Sequence, residues 1–287
     1  MIMHLFATEW RKLTGRALYW AELGVLALLV VGLYTALIVV VQQPASDMPP
    51  EALNEIRASL RWPEGVLNAL SFANGGEMGG LFAVILAAAM VAQEYRWRTV
   101  HLWLSRGVAR PMYLTAKAAM LALAQLGFVL TALLLGGLIT GIYTWHSTGG
   151  LPWDSLPWAA LGKGILLTWL TLLPYAALAF ALAVVTRSTL AAMGVGVGYS
   201  VLIENLAVEV LLLASPQTAR VARYLPSLLA KGVLAGLHQS GQVNVGLAVD
   251  ADVALLNPIH AALLLGLYSL IGFGLALAVF QRQDIPA

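Results

Sequence analysis

The amino-acid sequence predicts an all-α membrane protein with six transmembrane helices, an N-terminal amphipathic helix at the membrane interface, and short helices in the outer segment before the last span. Of its 287 residues, 60% are hydrophobic and only 10% are charged, whereas soluble domains carry roughly 25% charged residues. A soluble fold of this length could not bury so much apolar surface. Lipid is therefore the expected solvent for most of the surface.

Six segments are long and apolar enough to cross a bilayer, which takes about 20 mostly apolar residues as a helix. They are Leu18–Val41, Ser71–Ala92, Leu114–Ile142, Trp158–Val185, Thr189–Ala214 and Val253–Phe280. The first segment follows basic residues, as a signal peptide would, but it is longer than the roughly 7–15 apolar residues of such a peptide. We therefore expect it to be retained as the first span.

The Lys and Arg residues predict the orientation of these spans. With both termini in the cytoplasm, ten of these residues fall on the cytoplasmic side and six on the outer side. Cytoplasmic loops of membrane proteins carry an excess of Lys and Arg. The sequence thus predicts a multi-pass protein with both termini in the cytoplasm.

The chain is expected to form one membrane domain. Residues 1–17 are predicted to be an amphipathic helix, because apolar residues recur there at helical spacing beside a basic edge. It would serve either as a connector or as a plain membrane anchor. Residues 18–287 contain the six spans, a cytoplasmic loop at 93–113, and outer segments at 42–70 and 215–252.

Each outer segment contains a helical pattern of its own. In the first, Pro49, Pro50 and Glu51 precede apolar residues at helical spacing, which predicts the start of a short surface helix. The second is 38 residues long, and loops of that length are usually functional or partly structured. We expect a short helix near residues 227–237, at the outer leaflet or dipping into it.

The sequence contains few signals of enzyme or cofactor chemistry. It has no cysteine, and its net charge of +2 does not indicate a nucleic-acid partner. It lacks the phosphate-binding loop of nucleotide-binding proteins, and its five histidines are scattered without metal-site spacing. The stretch Gly198–Val201 partly matches an intramembrane serine protease motif, but His260 would lie too far from Ser200 to act as its base. We therefore expect no catalytic, cofactor or metal site.

Three charged residues are expected at membrane depth in the outer half of the bilayer. Glu77 lies about 25 Å along the second span from its inner end, and Glu204 lies about 22 Å along the fifth. Lys163 is expected at a similar depth on the fourth span. Because a charge in a membrane is costly unless paired or hydrated, these residues are candidates for a gate or a translocation path. A purely structural pair is the equally weighted alternative.

The loop at 93–113 is the most informative segment, since it mixes basic, aromatic and aliphatic residues where a plain tether would be short and polar. Residues 99–106 are predicted to form a short helix along the membrane surface. Val100, Trp103 and Leu104 would share one face of it, which suits docking into a groove on a soluble partner. Contact with lipid headgroups alone is the other interpretation.

This loop carries a resemblance to a known family. The order Glu94, Thr99, Leu104–Arg106, then Arg110 and Lys117 seven residues apart, resembles the first cytoplasmic loop of bacterial ABC transporter permeases of the type 2 exporter class. The resemblance extends to the amphipathic N-terminus, the six-span layout and the long outer segment.

The loop departs from the family pattern at one position. Such loops usually have glycine before the threonine, whereas this sequence has Arg98. The departure puts the conformation of the local turn in question, although not the overall layout.

The resemblance implies a permease subunit of the bacterial plasma membrane, without catalytic activity of its own. It would pair with a second copy or homologue, surrounded by membrane lipids, and with ATPase subunits that bind ATP and Mg. The expected ATPase-coupling residues are Glu94, Arg98, Thr99, Val100, Trp103, Leu104, Arg106, Trp10 and Arg11. Two alternatives stay open: an ion- or proton-coupled secondary transporter that uses Glu77 and Glu204, and a non-transporting scaffold. The substrate is not indicated.

Overall fold

The protein is a bundle of helices in the computed structural model, which describes residues 2–44, 48–151, 158–235 and 255–283. No strand occurs in these ranges. The helices are α1 (Ile2–Thr14), α2 (Ala17–Gln42), α3 (Pro50–Leu60), α4 (Glu64–Phe72), α5 (Met78–Arg96), α6 (Thr99–Ser105), α7 (Arg110–Thr148), α8 (Trp158–Thr186), α9 (Thr189–Val197), a π-helical segment (Gly198–Ile203), α10 (Glu204–Ala214), α11 (Pro216–Ala222), α12 (Pro226–Leu234) and α13 (Pro258–Arg282).

Six helical runs are long and apolar enough to cross a membrane: α2, α5, α7, α8, the continuous run from α9 to α10, and α13. This result confirms the predicted all-α membrane fold and makes the chain a multi-pass membrane protein. The central span is α5, since 72% of its most apolar stretch is buried inside the protein, against 17% for α2. Small side chains such as Ala87 and Ala88 are fully buried there and allow neighbouring helices to approach closely.

The second span is shorter than the sequence predicts. It begins at Met78 rather than Ser71, because α4 ends at Phe72 and a turn follows. Asn74 forms that turn: its side-chain amide donates to the Ser71 carbonyl at 2.6 Å, and its Oδ1 accepts from the Gly76 amide at 2.7 Å. Such local bonds compete with helix formation, so the apolar run divides into two helices.

The short helices that the sequence predicts are present. The helix after Pro49 is α3, the loop helix is α6, and the helix expected near residues 227–237 is α12. An additional helix, α11, is started by a capping box between Ser215 and Thr218. Residues 236–252 of the second outer segment lie outside the described residues, as do the first two residues of the predicted sixth span.

The bundle has two distinct ends. The α6 end carries α1, α6, the last turn of α5 and the start of α7. Here α1 packs against the bundle through Leu5 and Leu13, which are 3% and 1% exposed. The α12 end carries α3, α4, α11 and α12. There Tyr34 of α2 donates a hydrogen bond of 2.6 Å to the Gly65 carbonyl of α4.

Candidate functional site: an ion-pair network at the α6 end

Four charged side chains from three helices meet inside the α6 end. Glu9 and Lys12 come from α1, Glu94 from the last turn of α5, and Lys117 from the first turns of α7. Glu94 and Lys117 are 1% exposed and Glu9 is 2% exposed. Charged residues are almost never fully buried unless they are paired.

The four side chains form a ring in which charges of opposite sign alternate. Lys117 Nζ lies 2.8 Å from Glu94 Oε1 and 2.9 Å from Glu9 Oε2. Lys12 Nζ lies 2.7 Å from Glu9 Oε1 and 3.0 Å from Glu94 Oε1. Each ammonium group therefore bridges both carboxylates, and the ring as a whole is electrically neutral.

Further groups complete the hydrogen bonding of this ring. The Tyr113 hydroxyl donates to Glu94 Oε2, and Lys117 Nζ donates to the Met90 carbonyl at 3.3 Å. Arg16 lies 3.7 Å from Glu94 Oε1. Burying charges costs several kcal/mol per ion unless geometry and hydrogen bonds compensate. This network supplies both, and it ties α1, α5 and α7 together.

The short helix α6 is attached to the same network. The Lys12 ammonium lies 5.3 Å from the centre of the Trp103 ring of α6. Just before α6, the Arg16 guanidinium lies 5.3 Å from the centre of the Trp97 ring. Contacts of this kind contribute about 0.5–2 kcal/mol. Val100 is 3% exposed and packs into the main core. A displacement of α6 would therefore act directly on the ring.

The predicted docking face of α6 is turned inward. Val100 is buried, and Trp103 and Leu104 are half-buried against the core of the protein, so most of this face packs onto the bundle. The apolar spacing reflects packing onto the bundle. The exposed surface of this end instead includes Trp97 and Leu102, which are 52% and 55% exposed.

The remaining predicted coupling residues divide between that surface and the interior. Trp10 and Arg11 of α1 are exposed, as are Arg98 and Arg106 beside α6. Thr99 lies at the start of α6, and its hydroxyl donates to the Glu94 carbonyl at 3.4 Å. Glu94 itself belongs to the buried ring.

The departure from the family pattern at Arg98 has a conformational explanation. Arg98 has a φ of 55°, in the left-handed region that glycine adopts without steric cost and that other residues rarely occupy. The turn that glycine would favour is thus present with arginine in it.

Two of the three predicted gate residues, Glu77 and Glu204, contact the same helix, α12. Glu77, just before α5, pairs with Lys231 of α12 at 3.4 Å. A carboxylate oxygen of Glu204 accepts from the Ser227 amide at 2.6 Å. Lys163 is exposed, and no salt bridge among the described residues includes it. Their role in a translocation path stays a prediction.

Local structure explains how Glu204 reaches α12. Glu204 follows the π-helical segment, which shifts the helical register, and such segments are frequent at functional sites. Its carboxylate meets the amide-bearing N-terminal end of α12, where negative charge is favoured. Burial raises the pKa of the Glu77 carboxyl, and the neighbouring Lys231 ammonium opposes that rise.

The sequence contains signals of this network in the form of charged residues on the apolar faces of α1 and α7. Glu9 lies four residues from both Leu5 and Leu13, on the buried face of α1. Lys117 lies similarly between Leu114 and Leu121 of α7, which are both buried. A charged residue on the apolar face of an amphipathic helix indicates a buried partner.

A further buried acid lies in the first span. Glu22 of α2 is 5% exposed, and neither of its carboxyl oxygens has a hydrogen-bond partner among the described residues. Ionisable residues inside membrane spans are costly and commonly mark ion or proton pathways. Glu22 therefore joins Glu77 and Glu204 as a candidate for such a role.

The charged clusters show ion pairing rather than metal-site geometry. Within the described ranges, no three His, Asp or Glu side chains come together in a group that could hold a metal ion. The ring at the α6 end consists of paired carboxylates and ammonium groups, which suits mechanical connection between helices.

Comparison with known proteins places the chain in a family without assigning its activity. No curated protein matches it. A family model described as "Protein of unknown function (DUF2705)" matches residues 64–285, which include α6 and five of the six candidate spans. Because this match covers well over half of the sequence, the chain belongs to the DUF2705 family.

Proposed function

We propose that the chain is the membrane-spanning permease subunit of an ATP-driven ABC exporter, with its α6 end facing the cytoplasm. The observation that carries the proposal is the attachment of α6. This short helix connects two spans, exposes Leu102 and is flanked by the exposed Arg98 and Arg106. Through Trp103 it contacts Lys12, a member of the ion-pair network that ties α1, α5 and α7 together. A soluble ATPase that binds this end would thereby hold the bundle at three helices.

The ATPase-binding surface in this proposal consists of Trp10, Arg11, Trp97, Leu102 and Arg106. Aromatic residues and Arg are the types that most often anchor protein interfaces. The surface is basic, so it would favour an acidic groove on the partner. ATP and Mg would bind to that partner, since the chain has no phosphate-binding loop of its own.

In this proposal, the central span α5 transmits movement from the α6 end to the α12 end. Glu94 and Glu77 lie near the two ends of α5, about 25 Å apart along the helix axis. Glu94 is held by the ring, and Glu77 contacts Lys231 of α12. A movement imposed on α6 would pass through α5 to the α12 end, where substrate release would occur. A second permease copy or homologue would complete the pathway.

Co-purification tests the proposal. The tagged chain is extracted gently from its native membrane, and the proteins retained with it are identified. An ATPase subunit with a phosphate-binding loop is expected. Leu102→Glu, at a position 55% exposed, should reduce its recovery at least tenfold, because an interface anchor contributes about 2 kcal/mol or more.

A matched control separates docking from folding. Val221→Glu introduces the same charge at a position 58% exposed on α11, at the opposite end, and should leave ATPase recovery unchanged. Trp103→Glu is unsuitable, since that side chain is half-buried against the core and its replacement would disturb folding as well as docking. Absence of any ATPase from the wild-type preparation would remove the main support for an exporter subunit.

A proton-coupled secondary transporter is the second candidate, favoured by Glu22. Its carboxyl group lies within a candidate span without a hydrogen-bond partner in the described structure. This mechanism requires flux driven by a proton gradient without ATP, and Glu22→Gln should abolish that flux. In an ATP-driven exporter the same variant would leave ATP-dependent flux in place.

A further inference from the structure

An apolar cleft lies at the α12 end, between α4, the second half of α7 and the start of α8. Its volume is about 570 Å³. Leu134 and Ile142 of α7, which line it, are 71% and 63% exposed and face the lipid of a membrane. Val66 of α4 lines it from the inside and is 5% exposed. Among the described lining residues only His146 is ionisable, so the cleft is open to the bilayer and almost wholly apolar.

Trp62, between α3 and α4, forms part of the cleft wall and is held in place by α7. Its backbone amide donates a hydrogen bond to Thr144 Oγ1 at 3.1 Å. Its indole Nε1 donates to Thr140 Oγ1 at 3.0 Å and to the Gly137 carbonyl at 3.2 Å. Both N–H groups of Trp62 are thus bonded to one helix, which fixes the indole before any ligand arrives. A wall that is already ordered reduces the entropy cost of binding.

Two glycines one helical turn apart on α7 make room beside this indole. A Cβ atom on Gly141 would lie only 3.1 Å from the Trp62 ring, whereas a Cβ atom on Gly137 would have its nearest neighbour, a methyl group of Val66, at 4.0 Å. Both glycines line the cleft. A larger side chain at Gly137 would therefore extend into the cleft without displacing the protein around it.

The cleft has the depth of one membrane leaflet. From Leu133 to Ile142 its lining follows α7 for about 14 Å, and half of the hydrocarbon core of a bilayer is about 15 Å thick. Trp145 and Trp158, which are 59% and 67% exposed, line the cleft near the end of α7 and the start of α8. Trp is enriched where a membrane meets water. The cleft therefore runs from the headgroup region towards the middle of the bilayer.

The shape and chemistry of the cleft select its occupant. Water is disfavoured, because a buried water needs two to four polar partners and both N–H groups of Trp62 are bonded to α7. Over the roughly 20 Å from Leu133 to His146, the volume corresponds to a cross-section of about 30 Å². A helix with its side chains, about 10–12 Å across, takes up more than twice that area. A single hydrocarbon chain fits, and filling the cleft restores the dispersion contacts that a void would forfeit.

We propose that this cleft binds one acyl chain of a phospholipid from the leaflet at the α12 end. The chain lies against Trp62 and Val66, and its headgroup lies beside Trp145 and His146. The inference does not depend on the exporter proposal, because it concerns this chain and the bilayer alone.

Photolabelling in a membrane tests the proposal. The full-length chain is reconstituted into phosphatidylcholine vesicles that contain a small fraction of phosphatidylcholine with a diazirine in the middle of one acyl chain. After irradiation, mass spectrometry identifies the labelled residues. Label is expected on Val66, which the bilayer reaches through the cleft. Leu263, 67% exposed on α13, reports labelling by the surrounding lipid in every sample.

Substitutions that fill the cleft should remove the label on Val66. Gly137→Leu should lower it about tenfold or more relative to Leu263, which corresponds to a loss of about 1.4 kcal/mol or more. Leu138→Trp narrows the same cleft from a position that is 61% exposed, where added bulk does not threaten folding, and should act in the same direction. Gly274→Leu on α13 is the control, since a Cβ atom there would have nothing within 4 Å, and it should leave the label unchanged.

Two outcomes would overturn the proposal. If Val66 in the wild type carried no label while Leu263 did, the cleft would be covered in the membrane by protein, such as a second copy of this chain. If both cleft-filling variants kept the wild-type label on Val66, the label would not come from a chain in the cleft.

Discussion

The buried ring makes a quantitative prediction about paired substitutions. Glu94→Gln removes a carboxylate that contacts Lys12, Arg16 and Lys117 at 3.7 Å or less. Lys117→Met removes the ammonium group that bridges the two glutamates. Each single change leaves the ring with an unbalanced buried charge, whereas the double variant leaves the neutral pair of Glu9 and Lys12.

The expected loss of stability in each variant follows from that difference in charge balance. Removing one partner of a buried ion pair costs about 3–5 kcal/mol, while replacing both partners by neutral groups of similar size is often nearly neutral. Each single variant should therefore lower the melting temperature by about 10 °C, at about 2–4 °C per kcal/mol. The double variant should recover most of the loss, giving a coupling energy of about 3 kcal/mol or more.

Thermal unfolding in detergent, followed by size-exclusion chromatography of the protein that remains monodisperse, measures these effects. Glu55→Gln, at an exposed position on α3, is the control and should change stability by no more than about 0.5 kcal/mol. If the double variant lost as much stability as the two single variants together, Glu94 and Lys117 would not be coupled, and the ring could not join the three helices.

Two more substitutions test the α12 end. Glu204→Ala should lower the free energy of unfolding by about 1–3 kcal/mol, since the Ser227 amide loses its acceptor. Glu204→Gln keeps an acceptor and should retain most of the stability. Equal losses for the two variants in thermal unfolding would show that this hydrogen bond is unimportant. Gly75→Ala should lower the free energy of unfolding by about 1–3 kcal/mol, because a Cβ atom there would overlap the backbone of α8. Gly24→Ala is the control: a Cβ atom there would have nothing within 4 Å, so the change should be neutral or stabilising. Equal melting temperatures for the two variants would contradict this packing.

The spans and most short helices could be predicted because their signals are local. Length and apolar composition define a span, and proline or a capping residue fixes where α3, α7 and α12 begin. The division between α4 and α5 was missed because the apolar run continues across it. The break depends on bonds made by the Asn74 side chain, which hydropathy does not report.

The candidate site was predicted only in part, because pairing depends on which helix faces meet. Glu94 was identified from the loop pattern, but its partner Lys117 and the acid Glu9 lie 108 residues apart. The spacing of Val100 and Trp103 correctly indicated one face of α6, although not whether that face points outward. Helical periodicity identifies an apolar face, whereas only the tertiary fold determines what covers it.

The ion pairs at the two ends of α5 differ in burial, and this difference gives the proposed transport cycle a direction. Glu94 is 1% exposed and contacts Lys117 at 2.8 Å, whereas the Glu77–Lys231 contact is 3.4 Å long and its side chains are 23% and 16% exposed. Partly exposed pairs contribute at most about 1 kcal/mol, while breaking a buried pair costs about 3–5 kcal/mol. A force applied at α6 would therefore separate α5 from α12 before it separated α5 from α1 and α7. The α6 end would move as one unit, and opening would occur at the α12 end.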